Sequence, residues 1–331
     1  MALNKLAIAS VSLSLYAGHL LDEKIRAAAQ HGYSGIEIVY SDLETYSKSQ
    51  NIPIHTAAQK INQICNKNNI KALSLAPFEN FEGANSPLET RLQLAKHWLE
   101  IARLLKAPYL QVPSIFTNDC SRDAAVITAE MQALADLASA TKPTVSIAYE
   151  ALSWGTNHST WESALDLVNR VNRPNFGLCM DTFHEATKIW GDPSSPSGKQ
   201  MYAQERLRDS LRRFVRDCPL EKLFYVQLSD GERFDPPYSA THPWAVPGEA
   251  KEFTWSRHAR PFPFESEFGG YLPIGEIARA WIVEMGFKGW VSMEVFDRRL
   301  RDGSVSVETA ARRGVESWRK VQAEMEEKSR L

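Results

Sequence analysis

The chain has little of several things, and each shortage excludes a class of protein. Cysteine is scarce: Cys65, Cys120, Cys179 and Cys218 lie far apart and form no CxxC pair. That argues against a disulfide framework and a thiolate zinc site, and it fits a reducing compartment such as the cytoplasm. Neither sign of charge is in surplus. The 38 Lys and Arg against 40 Asp and Glu leave a net charge of −2, without the basic excess of a nucleic-acid binder. No apolar run approaches the roughly 20 residues that cross a bilayer, so no membrane association is expected. The opening MALNKLAIASVSLSLYAG has the Lys5 and semi-apolar run of a leader. Ser10, Ser12 and Ser14 interrupt it, however, and it alternates as a strand does. A glycine-rich turn is also missing after that strand, where the residues are SLSLY (12–16). Its absence argues against a dinucleotide-binding open sheet.

What the chain does have is a repeating alternation. Strand patterns occur at Leu6–Leu13, Ile36–Tyr40, Ala72–Ala76, Tyr109–Val112, Val145–Tyr149, Phe176–Met180, Leu223–Leu228 and Trp290–Val295. Helical spacing falls between them: Leu21–His31, Thr56–Asn69, Leu88–Leu105, a helix capped by Ser121 and running to Ala140, Thr160–Val171, Tyr202–Cys218, Ile274–Met285 and Val307–Glu326. Short strands each followed by a helix predict parallel βαβ units. Eight such units in one chain of this length predict an α/β fold, a single (β/α)8 TIM barrel over residues 1–331. Two connections are long, 185–201 and 229–272. Both follow strands, so both are expected on the carboxyl-end face, where such barrels carry their sites.

The chemistry is expected at four strand ends. Phe176–Met180 is an apolar run that stops on Asp181, and an unpaired buried carboxylate is costly. A helix cap would explain Asp181 alone. The same design recurs at Glu150 after VSIAY, at Gln227 in LFYVQLSD (which also carries Asp230) and at Glu294 in WVSMEVFD. Carboxylates converging on one barrel mouth repel unless a cation lies between them. Oxygen donors suit Mg²⁺ or Mn²⁺ better than Co²⁺ or Zn²⁺. His184, three residues past Asp181, is the preferred general base, with Glu150 and Glu294 as the alternatives. Glu37 is read either as a group behind the ligands or as half of a core ion pair. Arg257 and Arg260 in TWSRHARPF suit a small carboxylate substrate, while Arg298, Arg299 and Arg301 fit a solvated face. His19 is expected on the active face near substrate and His242 in a loop there, with Trp154, Trp244 and Phe234 as walls. Nothing speaks for or against a homo-oligomer.

These segments together resemble a known family. YEALSW, MDTFH, FYVQLSD and GWVSMEVF resemble the metal-binding strands of the xylose-isomerase-like TIM barrels. Within that superfamily the chain is most similar to the fungal 3-dehydroshikimate dehydratases of quinate catabolism. The resemblance runs nearly end to end, through YAGH (Tyr16–His19), RPNFGLCMDTF (Arg173–Phe183), WSRHARPF (Trp255–Phe262), YLPIGEIA (Tyr271–Ala278) and GFKGWVSMEVFDRR (Gly286–Arg299). It implies a divalent metal on Glu150, Asp181, Gln227 and Glu294, and a lyase that converts 3-dehydroshikimate to protocatechuate by enolate formation, loss of water and aromatisation. Sugar epimerases of the superfamily usually carry His where Gln227 stands, and its repair enzymes carry a His-rich zinc site that this chain lacks. Some related dehydratases have a WG-x-H pattern after the fifth strand. Here Asn157 takes that place and His158 follows one residue late. A metal-dependent isomerase or epimerase of a sugar or hydroxy-keto acid is the alternative, with Glu150 and Glu294 as an acid–base pair. A barrel kept as a non-catalytic binding module of the same pathway is the third reading.

Overall fold

The computed structural model describes residues 4–327. Eight parallel strands close a barrel: β1 (Lys5–Ala9), β2 (Gly35–Val39), β3 (Lys71–Ala76), β4 (Tyr109–Pro113), β5 (Ser146–Glu150), β6 (Phe176–Asp181), β7 (Leu223–Leu228) and β8 (Trp290–Met293). β8 pairs with both β7 and β1, which seals the sheet. Around it run α1 (Leu21–Gln30), α2 (Tyr40–Ser49), α3 (Ile54–Lys67), α4 (Leu88–Leu105), α5 (Ala124–Ser139), α6 (Trp161–Val171), α7 (Thr182–Ile189), α8 (Ala203–Asp217), α9 (Lys251–His258), α10 (Ile274–Ala278) and α11 (Val307–Glu327). Among the described residues no helix is long and apolar enough to cross a membrane. The four cysteines are free.

The two-residue period of a strand explains where the polar groups land. Inside the barrel, Ala7, Leu73, Ala148, Cys179 and Tyr225 form a small apolar cluster. Two residues further along their strands stand Glu150, Asp181 and Gln227. One layer of side chains fills the barrel, and the next carries acids and an amide at its mouth. Register completes the arrangement, since Asp181 pairs with Gln227 and Gln227 with Ser292.

The strand order agrees with the sequence reading, and several details depart from it. The first strand ends at Ala9 rather than Leu13, and Ser10–Ser12 forms a 3-10 turn. The Ser10 hydroxyl accepts the Val39 N–H at 3.1 Å, and that of Ser12 accepts the Val295 N–H at 2.8 Å. Side chains thus take over partners that a longer ladder would have used. Helix α2 was not foreseen, because its polar sequence buries little beyond Leu43, Tyr46 and Ser47. Asp123, not Ser121, caps α5 by accepting from the Ala125 and Val126 N–H groups. The connection read as 185–201 begins with helix α7, so it shortens to 190–202. The 229–272 connection contains α9 and then Ala259–Arg260, which pairs antiparallel with Phe296–Asp297. The helix from Ile274 widens to π geometry over Arg279–Glu284.

Asp230 fastens that long connection to the barrel. It is buried, and its carboxylate accepts from the Gly231, Tyr271 and Leu272 N–H groups at 2.8–2.9 Å and from Phe264 N–H at 3.2 Å. Removing it strands four backbone donors in a dry place. Asp230→Ala should therefore cost on the order of 3 kcal/mol or more in urea unfolding, whereas truncation of exposed Leu94 should change stability by less than about 0.5 kcal/mol.

Candidate active site

A cavity of about 400 Å³ opens at the carboxyl ends of the strands. Glu150, His184, Arg260 and Glu294 line it, and so do Trp154, Phe253, Arg257 and Gln111. Asp181 lies just behind, fully buried with Gln227. Glu150, Asp181 and His184 form a group that could hold a metal ion, their ligand atoms all within 4.8 Å of one another. His184 Nε2 is 3.4 Å from Glu150 Oε1 and 3.9 Å from Asp181 Oδ2.

Asp181 is a helix cap, and its second oxygen is turned to a guanidinium. Its Oδ1 accepts the Phe183 N–H at 2.7 Å and caps α7. Its Oδ2 accepts from Arg260 Nη2 at 2.5 Å. The same Nη2 reaches Glu294 Oε2 at 3.3 Å and the Glu294 carbonyl at 3.0 Å. Arg260 is 2% exposed, also donates to the Ser229 and Ser256 hydroxyls, and lies over the rings of Phe183 and Phe296. It was expected to hold a substrate carboxylate. In this structure it is instead the cation of the acid cluster.

Gln227 also differs from expectation. Its Nε2 donates to Glu294 Oε1 at 3.0 Å and to both oxygens of Glu37, while its Oε1 faces Cys179 Sγ. The amide nitrogen, not the oxygen, therefore faces the cluster, and a Gln227 ligand requires the opposite amide orientation. Glu37 is fixed by these bonds and by Ser74 Oγ at 2.8 Å, and among the described residues it has no ion pair. Gln111, unremarked in the sequence, donates to Glu150 Oε2. Its signal was present: a polar residue in mid-strand in YLQVP.

The electrostatics follow from burial. Burial first, and then the charge of Asp181, pushes the Glu150 carboxyl well above the usual range; burial and the charge of Glu150 do the same to Glu294. Burial also raises Glu37. His184 moves the other way, lowered to about 3 chiefly by burial, and stays neutral. The Ser153 N–H donates to its Nδ1 at 3.1 Å, so the ring proton is on Nε2 and points at Glu150.

Of the four carboxylates only Asp181 and Glu294 pair with the guanidinium, and the buried Glu150 Oε1, with His184 Nε2 3.4 Å away, has no hydrogen-bond partner among the described residues. That residual negative charge and the bare oxygen suit a divalent cation.

The aromatic wall is built from other residues than expected, with Phe116, Phe253 and Phe296 beside Trp154. Trp154 packs edge-on to His184 at 4.7 Å and against Phe253 at 5.2 Å, and Arg257 lies over the other side of Phe253 at 4.4 Å. Trp154 Nε1 and Arg257 Nε are buried without partners, although Arg257 Nη2 pairs with Glu249 Oε1 at 2.5 Å. Phe234 and Trp244 do not line the cavity. They pack with His242, Trp255 and His258 within the long connection itself. His19 also lies outside, beside Glu23 and Arg26, its Nδ1 2.9 Å from Ser14 Oγ. His158 is tied to Tyr149 and Glu82, and Asn157 Nδ2 to the Ser121 carbonyl. Arg298 and Arg299 pair with Glu232 rather than forming a solvated face, and Arg301 binds the Arg257 carbonyl.

A closed parallel barrel with an acid cluster at the carboxyl ends of strands five to eight defines a class. The chain belongs to the xylose isomerase-like TIM barrel family, whose model matches residues 25–321. The 3-dehydroshikimate dehydratase of Neurospora crassa is 39% identical to it over 335 residues, 96% of this chain and 93% of that protein. A 3-dehydroshikimate dehydratase of Pseudomonas aeruginosa is 31% identical over 89% of this chain, which spans only 38% of that longer protein. Among solved structures, a xylose isomerase-like TIM barrel/4-hydroxyphenylpyruvate dioxygenase fusion protein superposes with a TM-score of 0.75 at 25% identity, over 97% of this chain and 43% of that one. An IOLI protein with a bound zinc atom shares the fold, with a TM-score of 0.70 at 20% identity over 96% of this chain and 97% of that one.

The low pKa of His184 has a thermodynamic consequence. Folded His184 titrates near 3 and the unfolded residue near 6.5. The unfolded chain therefore binds the extra proton first, and stability falls as pH drops from 6.5 toward 3. At pH 5 the loss is about 2 kcal/mol relative to pH 8. Glu150, Glu294 and Glu37, raised by burial, act in the opposite direction, so the test is a difference: between the two pH values wild type should lose about 2 kcal/mol more in urea unfolding than His184→Asn.

Proposed function

We propose that this chain is a divalent-metal-dependent 3-dehydroshikimate dehydratase, a lyase of quinate catabolism that releases protocatechuate and water. The observation that carries the reading is the cavity itself. An acid cluster with a bare carboxylate oxygen forms its floor, and two unpartnered N–H donors, on Trp154 and Arg257, stand on its aromatic wall. A small ring bearing a ketone on one side and a carboxylate on the other matches both ends. The full-length likeness to the Neurospora enzyme supports the same choice.

Glu150, Asp181 and Glu294 would hold the cation, together with Gln227 once its amide presents oxygen. The oxygen-rich donors favour Mg²⁺ or Mn²⁺, which when bound supplies Lewis-acid polarisation of the substrate ketone. The protein's own groups handle the proton. The N–H of Ser153 fixes His184 with its proton on Nε2, and Glu150 Oε1 lies 3.4 Å away. With the cation bound, the pair would be a carboxylate beside a neutral imidazole, and proton transfer from the carbon alpha to the ketone falls to this pair. The β-hydroxyl leaves with the abstracted proton as water, and a further ring proton moves to the ketone oxygen, which restores aromaticity. Arg257 Nε receives the substrate carboxylate, and Trp154 and Phe253 stack beside the ring and keep water from it.

Incubation of the purified protein with 3-dehydroshikimate and Mg²⁺ or Mn²⁺ should give an aromatic product by ultraviolet absorbance. No product with either metal, or a full rate after chelation, would overturn the reading. Arg257→Met should raise KM at least tenfold with kcat little changed. His184→Asn should lower kcat by about 10²–10⁴ with KM nearly constant.

A further inference from the structure

Arg260 comes from outside the barrel strands yet sits inside their acid cluster. Resting on the metal-dependent reading above, we propose that Arg260 is a resident counter-cation, competing with the divalent cation for Asp181 Oδ2 and Glu294 Oε2. Cation entry then proceeds by exchange, and the displaced guanidinium turns into the cavity it already lines.

Four observations carry this. Arg260 Nη2 occupies the acceptor atoms that a cation needs, at 2.5 Å from Asp181 and 3.3 Å from Glu294. Glu150 Oε1 makes no contact with this guanidinium and has no hydrogen-bond partner among the described residues. The guanidinium is held by groups that do not depend on the acids, namely the Ser229 and Ser256 hydroxyls and the faces of Phe183 and Phe296. A side chain with such anchors can remain ordered after it yields the carboxylates. Finally, Arg260 belongs to a two-residue ladder with Phe296–Asp297, directly beyond Glu294. A shift of the guanidinium is thereby coupled to the backbone that carries Glu294.

One monovalent cation opposing several carboxylates is an incomplete neutralisation. It holds the acids together ahead of metal binding and leaves an incentive for a divalent ion to enter. A fixed guanidinium that only oriented the acids would act differently, since removing it would loosen the ligands and weaken metal binding.

The test needs no substrate. Metal-stripped wild type, Arg260→Gln and Arg260→Lys are titrated with Mn²⁺, and free Mn²⁺ is read by electron paramagnetic resonance. Under exchange, Arg260→Gln binds Mn²⁺ at least tenfold more tightly than wild type and Arg260→Lys falls between. Arg260→Gln also unfolds at lower urea in chelator, and Mn²⁺ restores more of its midpoint than it does for wild type. Equal or weaker Mn²⁺ binding by folded Arg260→Gln overturns the inference. If that variant does not fold without metal, recovery of its near-ultraviolet circular dichroism by Mn²⁺ supports exchange. No recovery, with Arg260→Lys binding no tighter than wild type, refutes it. If neither wild type nor Arg260→Gln binds Mn²⁺, the inference also fails. Turnover by wild type without tightening in the variant sinks only the exchange, and tightening without turnover sinks only the proposed substrate.

Discussion

Carboxylates that share a dry barrel mouth cannot stand without a cation, and the rest of this structure is arranged around that constraint. Strand periodicity places Glu150, Asp181 and, one residue past β8, Glu294 at converging ends. Closure of the sheet makes their separation a matter of barrel geometry rather than of side-chain choice. Part of the compensation comes from hydrogen bonds: Phe183 N–H to Asp181, Gln111 to Glu150, and Gln227 to Glu294 and Glu37. The rest is ionic and comes from Arg260.

That ionic contribution ties the long connection after β7 to the site. Arg260 can reach Asp181 only because the chain returns across the barrel mouth after α9. Asp230 holds the start of the excursion against its end, and Arg298 and Arg299 hold Glu232 in the same segment. Each fastening is a charge satisfied by backbone donors or by a forked guanidinium, which sets position as well as energy. The long connection is therefore part of the site's structure rather than a cover laid over it. Its α9 also supplies Phe253 and Arg257, the two residues that complete the wall beside Trp154.

Much of this was legible in the sequence, and what was legible had a local cause. The eight strands are short apolar runs with clear stops, and an acid at the end of a buried run is visible without coordinates. The YLQVP run would have yielded Gln111 on the same reasoning. What could not be read depended on paths through space. No spacing rule says that Arg260 folds back onto Asp181 while Arg257, three residues away, faces Glu249 and the cavity wall. Phe234 and Trp244 have the composition of pocket walls, but the aromatic stack within the long connection claims them. His19 sits after a barrel strand like a site residue, yet α1 and the start of α11 enclose it on the outer flank. Helix α2 escaped notice because its ten residues, polar but for Leu43 and two tyrosines, bury only a short stripe.

The two histidines nearest the site separate by the same logic. His158 and His184 both follow a strand that ends in an acid, and both are buried. His158 spends its Nδ1 on Tyr149 and Glu82 beneath the strand ends, with Arg170 beside its Nε2. His184 opens from the first turn of α7, where the Asp181 cap sets the direction of the helix. Its Nδ1 is turned to the Ser153 backbone, so its other nitrogen must face Glu150 and the cavity. The cap and the acid cluster are thus one device. The hydrogen bond that begins α7 aims its histidine, and the second oxygen of the same carboxylate holds the cation that lets the acids stand together.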